Sequence, residues 1–524
     1  MTHSFRLLAL GCSALALAAC GPDDIASPGT GGNIIINNPP APAPTPTTPP
    51  TAGNVTPAVD CPTIAGGALR NGGTIAGPTG TYRVCTLPSR FTASTTLPYV
   101  RGLLYEIGGR VDVGTDNGPA ATPGETSVTL SIEPGAILYG SGASFLMVNR
   151  GNRLNAVGTV QRPIVFTSRD NVTGLNAGRE AASGQWGGVI LAGRAPITDC
   201  AAPAATPGTV GCERQVEGEA QPARYGGATS NDNSGTLRYV QIRYSGFVLS
   251  GDNELQSLTT GGTGTGTQFS HIQSHNSSDD GVEFFGGFVN LKYLVVVGAE
   301  DDSIDTDTGV QANLQYVIAV QRQGAGDSIL EADSTNALAD SLPRQNTQIS
   351  NATFIARNAG AAPLLRFRGG TDYALVNSVV VSAAGTGCLR IDDAETVRAA
   401  DPALQDRGPL VFRSVALDCA TPFVNGSNSG ATAAQAQALF TSGANNRTPF
   451  TNTLTMTFVN GANEAAVPAF NPTQLSSFFD NVDYIGAVRN AQDTWYQGWT
   501  CNSATANFGT SNTGSCDSLP VYPA

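Results

Sequence analysis

Pairs of aspartates recur at a nearly constant spacing in the middle of the chain. Asp279–Asp280 and Asp301–Asp302 each stand in an acidic turn, and Asp327 stands in a third turn of the same kind, so the pattern repeats about every 23 residues. Eleven acidic residues fall between positions 279 and 333, against two basic ones. Most of the formal net charge of -13 is therefore concentrated in this part of the chain.

Stacked repeats would place the carboxylates of successive turns side by side. Aligning the repeats puts Asp280, Asp302 and Asp327 in one column with Glu283 and Asp305 nearby, and these five are the predicted ligand-binding residues. Neighbouring strands lie about 4.8 Å apart, a distance at which two unit charges repel by roughly 1 kcal/mol even in water. Some other interaction must offset this repulsion.

Two kinds of chemistry would offset it. A hard cation such as Ca²⁺ takes six to eight oxygen ligands, which predicts a cation site at Asp280, Asp302 and Asp305. Raised carboxyl pKa values would suit acid/base catalysis, for which Asp279, Asp280, Asp301 and Asp302 are the candidates. Alternatively, the acids are solvated turn residues that cap backbone N–H groups.

Two histidines precede the first aspartate pair. His271 and His275 lie four residues apart in a segment that reads as extended, so they would face the same side close to Asp279 and Asp280. Imidazole with carboxylate is a transition-metal ligand set, which makes His271 and His275 a second candidate metal site. The alternative is a solvated or hydrogen-bonded pair, since no third clear ligand stands nearby.

Short strands must position these residues. The segments 268–273, 291–296 and 314–319 each lead into an acidic turn, which is followed by a second short strand and a Gly-rich corner. No helical pattern separates the strands, which indicates a parallel β-solenoid with one rung per repeat. The predicted fold class is therefore all-β, a parallel β-helix.

Further features of this fold can be read from the same pattern. Val282, Ile304 and Ile329 occupy equivalent positions in the aligned repeats and are predicted to stack in the interior. Longer loops interrupt the rungs at about 193–236, 331–347 and 392–408. One short helix is predicted at 431–440, which is rich in Ala and Gln.

The first 20 residues indicate export. An apolar run from Leu7 to Ala19 follows Arg6, is too short to span a bilayer and ends in small residues, which is typical of a signal peptide. Its end, Leu17-Ala-Ala-Cys20, resembles the lipobox of bacterial lipoproteins, which implies that residues 1–19 are removed and that Cys20 is lipidated. In that family, Gly21 at the next position implies the outer membrane.

The rest of the chain divides into three predicted parts. Residues 20–57 are rich in Pro, Gly and Asn, with little apolar bulk, and are predicted to form a disordered, lipid-anchored tether. The β-helix domain is predicted at 58–474. Residues 475–524 are predicted to cap its C-terminal end, since an open solenoid end exposes unpaired strand edges.

Cysteine usage agrees with export. Eight cysteines remain after Cys12 and Cys20, and they fall into four couples of sequence neighbours, although many connectivities are open in principle. The simplest pairing is Cys61–Cys85, Cys200–Cys212, Cys388–Cys419 and Cys501–Cys516.

The charge balance argues against two kinds of partner. The chain has 41 acidic residues against 28 basic ones, and Lys292 is its single lysine. Such a chain is not expected to bind nucleic acid or an anionic membrane surface. Contact with a membrane is expected through the N-terminal lipid anchor.

Several short sequence segments resemble those of known protein families. Glu133-Pro-Gly-Ala-Ile-Leu-Tyr-Gly140 and Pro163-Ile-Val-Phe-Thr-Ser168 resemble the first rungs of right-handed parallel β-helix proteins of the pectin-lyase-like superfamily. Gln185-Trp-Gly-Gly188, Asn276–Gly287 and Asp480–Gly486 resemble a group of uncharacterised bacterial β-helix lipoproteins. The resemblance covers most of residues 100–500 and implies a right-handed parallel β-helix with loop insertions.

The resemblance also bears on activity. Pectin-degrading enzymes on this fold use paired Asp residues on neighbouring rungs, or Ca²⁺-binding Asp with an Arg base. Asp279–Asp280 and Asp301–Asp302 match in being paired and one rung apart, whereas the Gly-His-Gly of the hydrolases is missing.

The expected function is an outer-membrane lipoprotein, surface- or periplasm-facing, whose β-helix binds a glycan or other extracellular ligand, with Ca²⁺ as its candidate cofactor. Its expected partners are that glycan or an outer-membrane protein. One alternative is a polysaccharide lyase or glycoside hydrolase that uses the paired aspartates. The other is a structural or adhesive surface protein without a small-molecule site.

Overall fold

A computed structural model describes residues 55–216, 222–250, 253–359, 362–382 and 385–522. The predicted signal peptide, Cys20 and the tether up to residue 54 lie outside the described residues. Val55 already belongs to the folded part, because it is 5% exposed and pairs with Gly80. The folded part therefore includes residues on the N-terminal side of the predicted boundary at 58.

Two large parallel sheets, sheet A and sheet B, contain most of the described strands. In spatial order, sheet A comprises Arg70–Gly77, Gly80–Thr86, Leu103–Ile107, Ile137–Gly140, Ile164–Ser168, Gly235–Arg243, Gln268–His275, Phe288–Val297, Gln311–Val320, Asn346–Ile355, Asp372–Val381 and Val411–Asp418. Beside this path, sheet A also holds Thr95–Leu97, Thr129–Ile132 and Arg153–Val157. Sheet B comprises Arg90–Phe91, Arg110–Val113, Phe145–Val148, Gly188–Ala192, Leu258–Gly261, Val282–Phe285, Ile304–Asp307, Leu330–Asp333, Leu365–Phe367, Gly387–Ile391 and Thr421–Phe423.

Strands of the two sheets alternate along the chain, so each rung stacks on the one before it. The pairings between rungs are parallel, apart from the hairpin Arg70–Gly77/Gly80–Thr86 at the start of sheet A. The predicted parallel β-helix is thus confirmed, and its few helices are short. They are the α-helices Arg169–Thr173, Ala433–Ser442 and Ala462–Ala465 and the 3-10 turns Asn336–Leu338, Ala394–Thr396, Pro402–Leu404 and Pro472–Gln474.

Interior side chains form columns across sheet B. Val282, Ile304 and Leu330 occupy one column, and each is 0% exposed. The predicted third member of this column, Ile329, is wrong by one residue, because Ile304 pairs with Leu330. Ile329 is itself buried in the corner that precedes the strand.

The later strands of sheet A bend at one position per rung. Tyr239, His271, Tyr293 and Tyr316 stand at this bend with positive φ values of 52°, 55°, 68° and 61°. Positive φ is uncommon outside glycine, so a column of such residues marks a repeated corner. The bend lets Gly235–Arg243 pair with both Arg153–Val157 and Ile164–Ser168.

Separate elements cover the two ends of the β-helix. The antiparallel hairpin of Arg70–Gly77 and Gly80–Thr86 lies on the first rung. At the other end lies the helix Ala433–Ser442, two residues later than the predicted helix, with Thr432 as its N-cap. Phe440 of this helix packs against Phe412 and Phe423 of the last strands.

The last part of the chain, here called the return segment (residues 450–522), does not cover an end as was predicted for 475–524. It runs back along the outer side of sheet A, towards the first rungs. Asn377 donates to the Phe470 carbonyl, Gln273 donates to the Cys501 carbonyl, and Tyr522 donates to the Pro163 carbonyl. The predicted cap is therefore a lateral cover.

All four predicted disulfides are present. They join Cys61–Cys85, Cys200–Cys212, Cys388–Cys419 and Cys501–Cys516. Closing loops of this size stabilises a fold by roughly 3 kcal/mol each in the chain-entropy model. Among the described residues, no helix is long and apolar enough to cross a membrane.

The insertion at 193–234 covers part of the outer face of sheet B. Ile197 and Tyr225 of the insertion pack in one cluster with Phe145 and Ile190, and the Tyr225 ring lies 6.1 Å from that of Phe285. Three short antiparallel strand pairs lie outside the two large sheets. Two are in loops between rungs: Arg214–Gln215 with Arg224–Tyr225, and Val248–Ser250 with Asn253–Glu254. The third, Thr63–Ile64 with Gly67–Ala68, precedes the first rung. The apolar part of this cover reaches Phe285, and Thr198 of the insertion continues past it to donate to the Pro343 carbonyl.

Candidate ligand-binding face

Three successive strands of sheet B carry acids on their outer side. In Val282–Phe285, Ile304–Asp307 and Leu330–Asp333, apolar or small residues alternate with charged or aromatic ones, and the apolar set points inward. The register aligns Glu283 with Asp305 and Asp305 with Glu331. Asp307 and Asp333 form a second pair of outward neighbours.

The turn acids lie at the N-terminal ends of the same strands. We use the name acidic face for these and the strand acids together: Asp279, Asp280, Glu283, Asp301, Asp302, Asp305, Asp307, Asp327, Glu331 and Asp333. Asp280 and Asp302 are nearly buried, at 5% and 4% exposed. The Asp302 N–H donates to Asp280 Oδ1 over 2.9 Å, so one carboxylate oxygen of Asp280 has a structural role.

The predicted column of turn acids is displaced at its third member. Asp280 and Asp302 are neighbours, but the register of the next strand pair places Asp327 beside Asp301, and the Asp327 N–H donates to the Asp301 carbonyl. Asp327 Oδ1 in turn accepts from the Ala362 N–H at 3.0 Å. Asp327 therefore joins the site as a neighbour of Asp301 and Asp302 and does not continue the column of Asp280.

Three groups of acids could hold a cation. Within each group, one carboxylate oxygen per residue lies within 4.8 Å of the others. The groups are Asp279–Asp280–Asp301, Asp280–Glu283–Asp305 and Asp301–Asp302–Asp327. Every residue predicted to bind ligand, metal or substrate through a carboxylate thus belongs to at least one group.

Burial raises the pKa of several of these carboxyl groups. Loss of water, followed by repulsion from neighbouring carboxylates, raises the pKa of Asp280, Asp302 and Asp305 well above the usual range. Burial and Asp333 raise the pKa of Asp307 to about 7. Burial also raises the pKa of Asp333, to about 6. Protons and cations therefore compete for this face near neutral pH.

Arginines flank the acidic face on the next two rungs, which the sequence reading missed. Arg366 and Arg390 continue the outward column after Glu331, and Arg368 continues the column after Asp333. Arg368 contacts Glu331 at 3.0 Å and Asp333 at 3.1 Å. These arginines could have been recognised from the sequence Leu365-Arg-Phe-Arg. It alternates apolar and charged residues as Leu330-Glu-Ala-Asp does, and so places two charges on the outer side of the strand.

The histidines do not join the acids. The backbone bends at His271, so His271 and His275 do not share one face of an extended strand. The His271 ring lies between the rings of Tyr239 and Tyr293, at 4.2 and 4.3 Å. Among the described residues, neither histidine belongs to a group that could hold a metal ion.

Fold and site together define a parallel β-helix with one lateral face lined by acids and arginines. The family model of pectate-lyase like β-helix domains matches residues 120–500, and the chain belongs to this family. No curated protein and no solved structure shows significant similarity to the chain.

Proposed function

We propose that the acidic face binds Ca²⁺ and, through it, an acidic polysaccharide. The supporting observation is that Asp302 Oδ1 and Asp305 Oδ1 are buried and find no hydrogen-bond donor among the described residues. Buried oxygens of this kind are costly unless a partner satisfies them. Ca²⁺ prefers such carboxylate oxygens, and its charge would offset their mutual repulsion.

The neighbouring arginines support a polyanionic ligand. A uronate chain lying across the rungs would meet bound Ca²⁺ at the aspartates and the guanidinium groups of Arg366, Arg368 and Arg390 one or two rungs further on. Guanidinium groups bind carboxylates through paired hydrogen bonds. In the absence of a cation, by contrast, the acids would repel such a chain.

Exposure supports binding on this face. Asp301 is exposed, and Asp305, Asp307, Asp327 and Asp333 are half-buried, so a ligand can reach them. The apolar cluster of the insertion at 193–234 reaches Phe285, and the insertion continues past it, where Thr198 donates to the Pro343 carbonyl, but these five acids stay accessible. A face sealed by loops would instead have favoured the purely structural alternative.

A lyase is the second candidate, because Arg366 and Arg368 lie beside the acids where a base would stand. Both guanidinium groups, however, contact Glu331, and neighbouring carboxylates raise their pKa above the ordinary value despite burial. An arginine held in the protonated state cannot remove a proton from a sugar. Binding is therefore preferred over elimination.

We further propose that the protein is exported and anchored to the outer membrane by a lipid on Cys20. The support is the signal-like segment at 1–19 and the lipobox-like Leu17-Ala-Ala-Cys20. A chain attached in this way would present the acidic face to polysaccharides in the periplasm or at the cell surface.

Binding to immobilised polygalacturonate tests the proposal. We expect retention of the protein in Ca²⁺, release by chelator, and no retention on a neutral dextran. Asp302→Asn should weaken Ca²⁺-dependent retention at least tenfold, and Arg368→Gln should weaken it at saturating Ca²⁺. Asp483→Asn is the matched control, because Asp483 is an exposed acid of the return segment paired with Arg489.

Each other outcome has a definite meaning. Release of unsaturated uronate products, detected by their ultraviolet absorbance and lost in Arg368→Gln, would establish the lyase. Retention that is indifferent to Ca²⁺, chelator and Asp302→Asn would overturn the proposed cation-mediated binding.

A further inference from the structure

A cavity of about 500 Å³ lies between the β-helix and the return segment, separate from the acidic face. Tyr244, His275 and Asn276 line it from a corner of the β-helix, and residues 176–180 form a second wall. Residues 502–517 of the return segment complete it. Its volume is within the range of about 300–1,000 Å³ that is usual for small-molecule sites.

The walls of the cavity are fixed by contacts that do not depend on a ligand. The carboxylate of Glu180 accepts from the N–H groups of Ala504 and Thr505, at 3.2 and 2.7 Å. The Gly178 N–H donates to Asp517 Oδ2 over 3.3 Å. The Cys501–Cys516 disulfide closes the loop that forms the third wall. A ligand entering such a preformed site loses little affinity to ordering the protein.

His275 gives the cavity a specific polar group. The residue lines the cavity and is 2% exposed, its ring packs edge-on against Tyr244 with centroids 5.3 Å apart, and Nδ1 is buried without a hydrogen-bond partner among the described residues. Burial, together with Arg243 and Arg322, lowers its pKa to about 3, so the imidazole is neutral at physiological pH. A neutral imidazole offers one donor and one acceptor.

The charges around the cavity favour an uncharged ligand. Glu180 and Asp517 bring two carboxylates and Arg179 one guanidinium. An anionic ligand would meet the two carboxylates, and a cation would gain little at a site whose carboxylates already accept backbone N–H groups. Hydroxyl groups, which both donate and accept, match the neutral imidazole and the neighbouring Ser503 and Ser515.

We infer that this cavity is a binding site for a neutral sugar of one or two rings, held by His275 with its ring carbons against Tyr244. A sugar ring presents hydroxyl groups at its edge and apolar C–H groups on its face, which suits a site that combines polar groups with an aromatic ring. This site is independent of the proposed Ca²⁺-dependent binding on the acidic face.

Histidine NMR tests the inference directly. The chain has three histidines, so a histidine-labelled sample gives few imidazole signals, and His275→Gln and His271→Gln assign them. Neutral hexoses and disaccharides are titrated into the full protein, with galacturonate as the charged counterpart. We expect at least one neutral sugar to shift the His275 signals saturably, while those of His271 stay in place.

Two further variants keep the inference falsifiable if His275→Gln fails to fold. Ala504 lines the cavity and is exposed, so Ala504→Trp should fill the opening and abolish the shift of His275. Thr510→Trp, at an exposed position of the same segment that does not line the cavity, should leave the shift unchanged, as should Asp302→Asn. A response to galacturonate alone, no response to any neutral sugar, or a response that survives Ala504→Trp would overturn the inference.

Discussion

Asp302→Asn should change stability in opposite directions with and without Ca²⁺. The Asp302 carboxylate has oxygens of Asp301 and Asp327 within 4.8 Å. One fully ionised pair at that distance repels by about 3 kcal/mol at an effective dielectric constant near 20. Protonation relieves part of this repulsion, because the pKa of Asp302 is raised. Without Ca²⁺, the variant should therefore be more stable by about 1–2 kcal/mol.

With Ca²⁺ bound, the wild-type protein should instead be more stable than Asp302→Asn. A cation at one hundred times its dissociation constant stabilises the wild-type fold by about 2.7 kcal/mol, and Asn, lacking the charge, should forfeit most of this. Unfolding a chain of this length has an entropy of order 1 kcal/mol per kelvin, so we expect opposite shifts of about 1–2 °C in Tm.

Differential scanning calorimetry in chelator and across a Ca²⁺ titration measures both shifts, with Asp483→Asn as the control. A wild-type Tm that does not respond to millimolar Ca²⁺, or an Asp302→Asn variant that is less stable in chelator, would refute the reasoning.

The remaining predictions concern the anchor, the interior and pH. Cys20→Ser should move the protein from the membrane fraction to the soluble fraction, and a variant that stays with the outer membrane would contradict lipidation. Ile304→Asp should lower the free energy of unfolding by more than about 4 kcal/mol, because it buries an unpaired carboxylate at a position that is 0% exposed. Denaturant unfolding measures this loss, and the control Ile304→Val should lower the free energy of unfolding by only about 1 kcal/mol. Asp307 has a pKa of about 7 in the fold, against 3.8 for the unperturbed group, so the folded state holds a proton that the unfolded state releases. Cation-free protein should therefore lose stability as pH rises from about 4 to about 7. Ca²⁺ affinity, followed by calorimetric titration, should instead rise towards pH 7 as Asp301 ionises, because Asp301 belongs to two of the candidate cation groups and burial raises its pKa to about 7; an affinity independent of pH would contradict this.

The repeat of short strands was sufficient to predict the β-helix, but not its register everywhere. The prediction aligned Asp302-Ser-Ile304 with Asp327-Ser-Ile329 because the two segments have the same residue types. The strand that follows sets a different register, because only the pairing of Ile304 with Leu330 turns Glu331 and Asp333 outward. A shift of one residue would have placed those carboxylates in the core, which is far more costly than a mismatch in a turn.

Two other features of the molecule could be recognised only once the fold was known. Arg366 and Arg368 lie more than 30 residues after Glu331, so their place beside it follows only from stacking of the rungs. The return segment has short irregular stretches without a strand period, and its contacts with residues such as Gln273 come from side-chain amides that bind its backbone. Neither contact leaves a periodic pattern in sequence.

The return segment also changes how this solenoid can fold. In a simple solenoid each rung depends only on its neighbours, so rungs can form and fray one at a time. Here Asn377 of a late rung and Arg243 of an early one both bind the same segment, Arg243 through the carbonyls of Cys516 and Ser518. Loss of one rung therefore weakens contacts of rungs far from it, and unfolding becomes more cooperative. Because the return segment follows the rungs in the sequence, the early rungs must wait for its synthesis before they acquire these contacts.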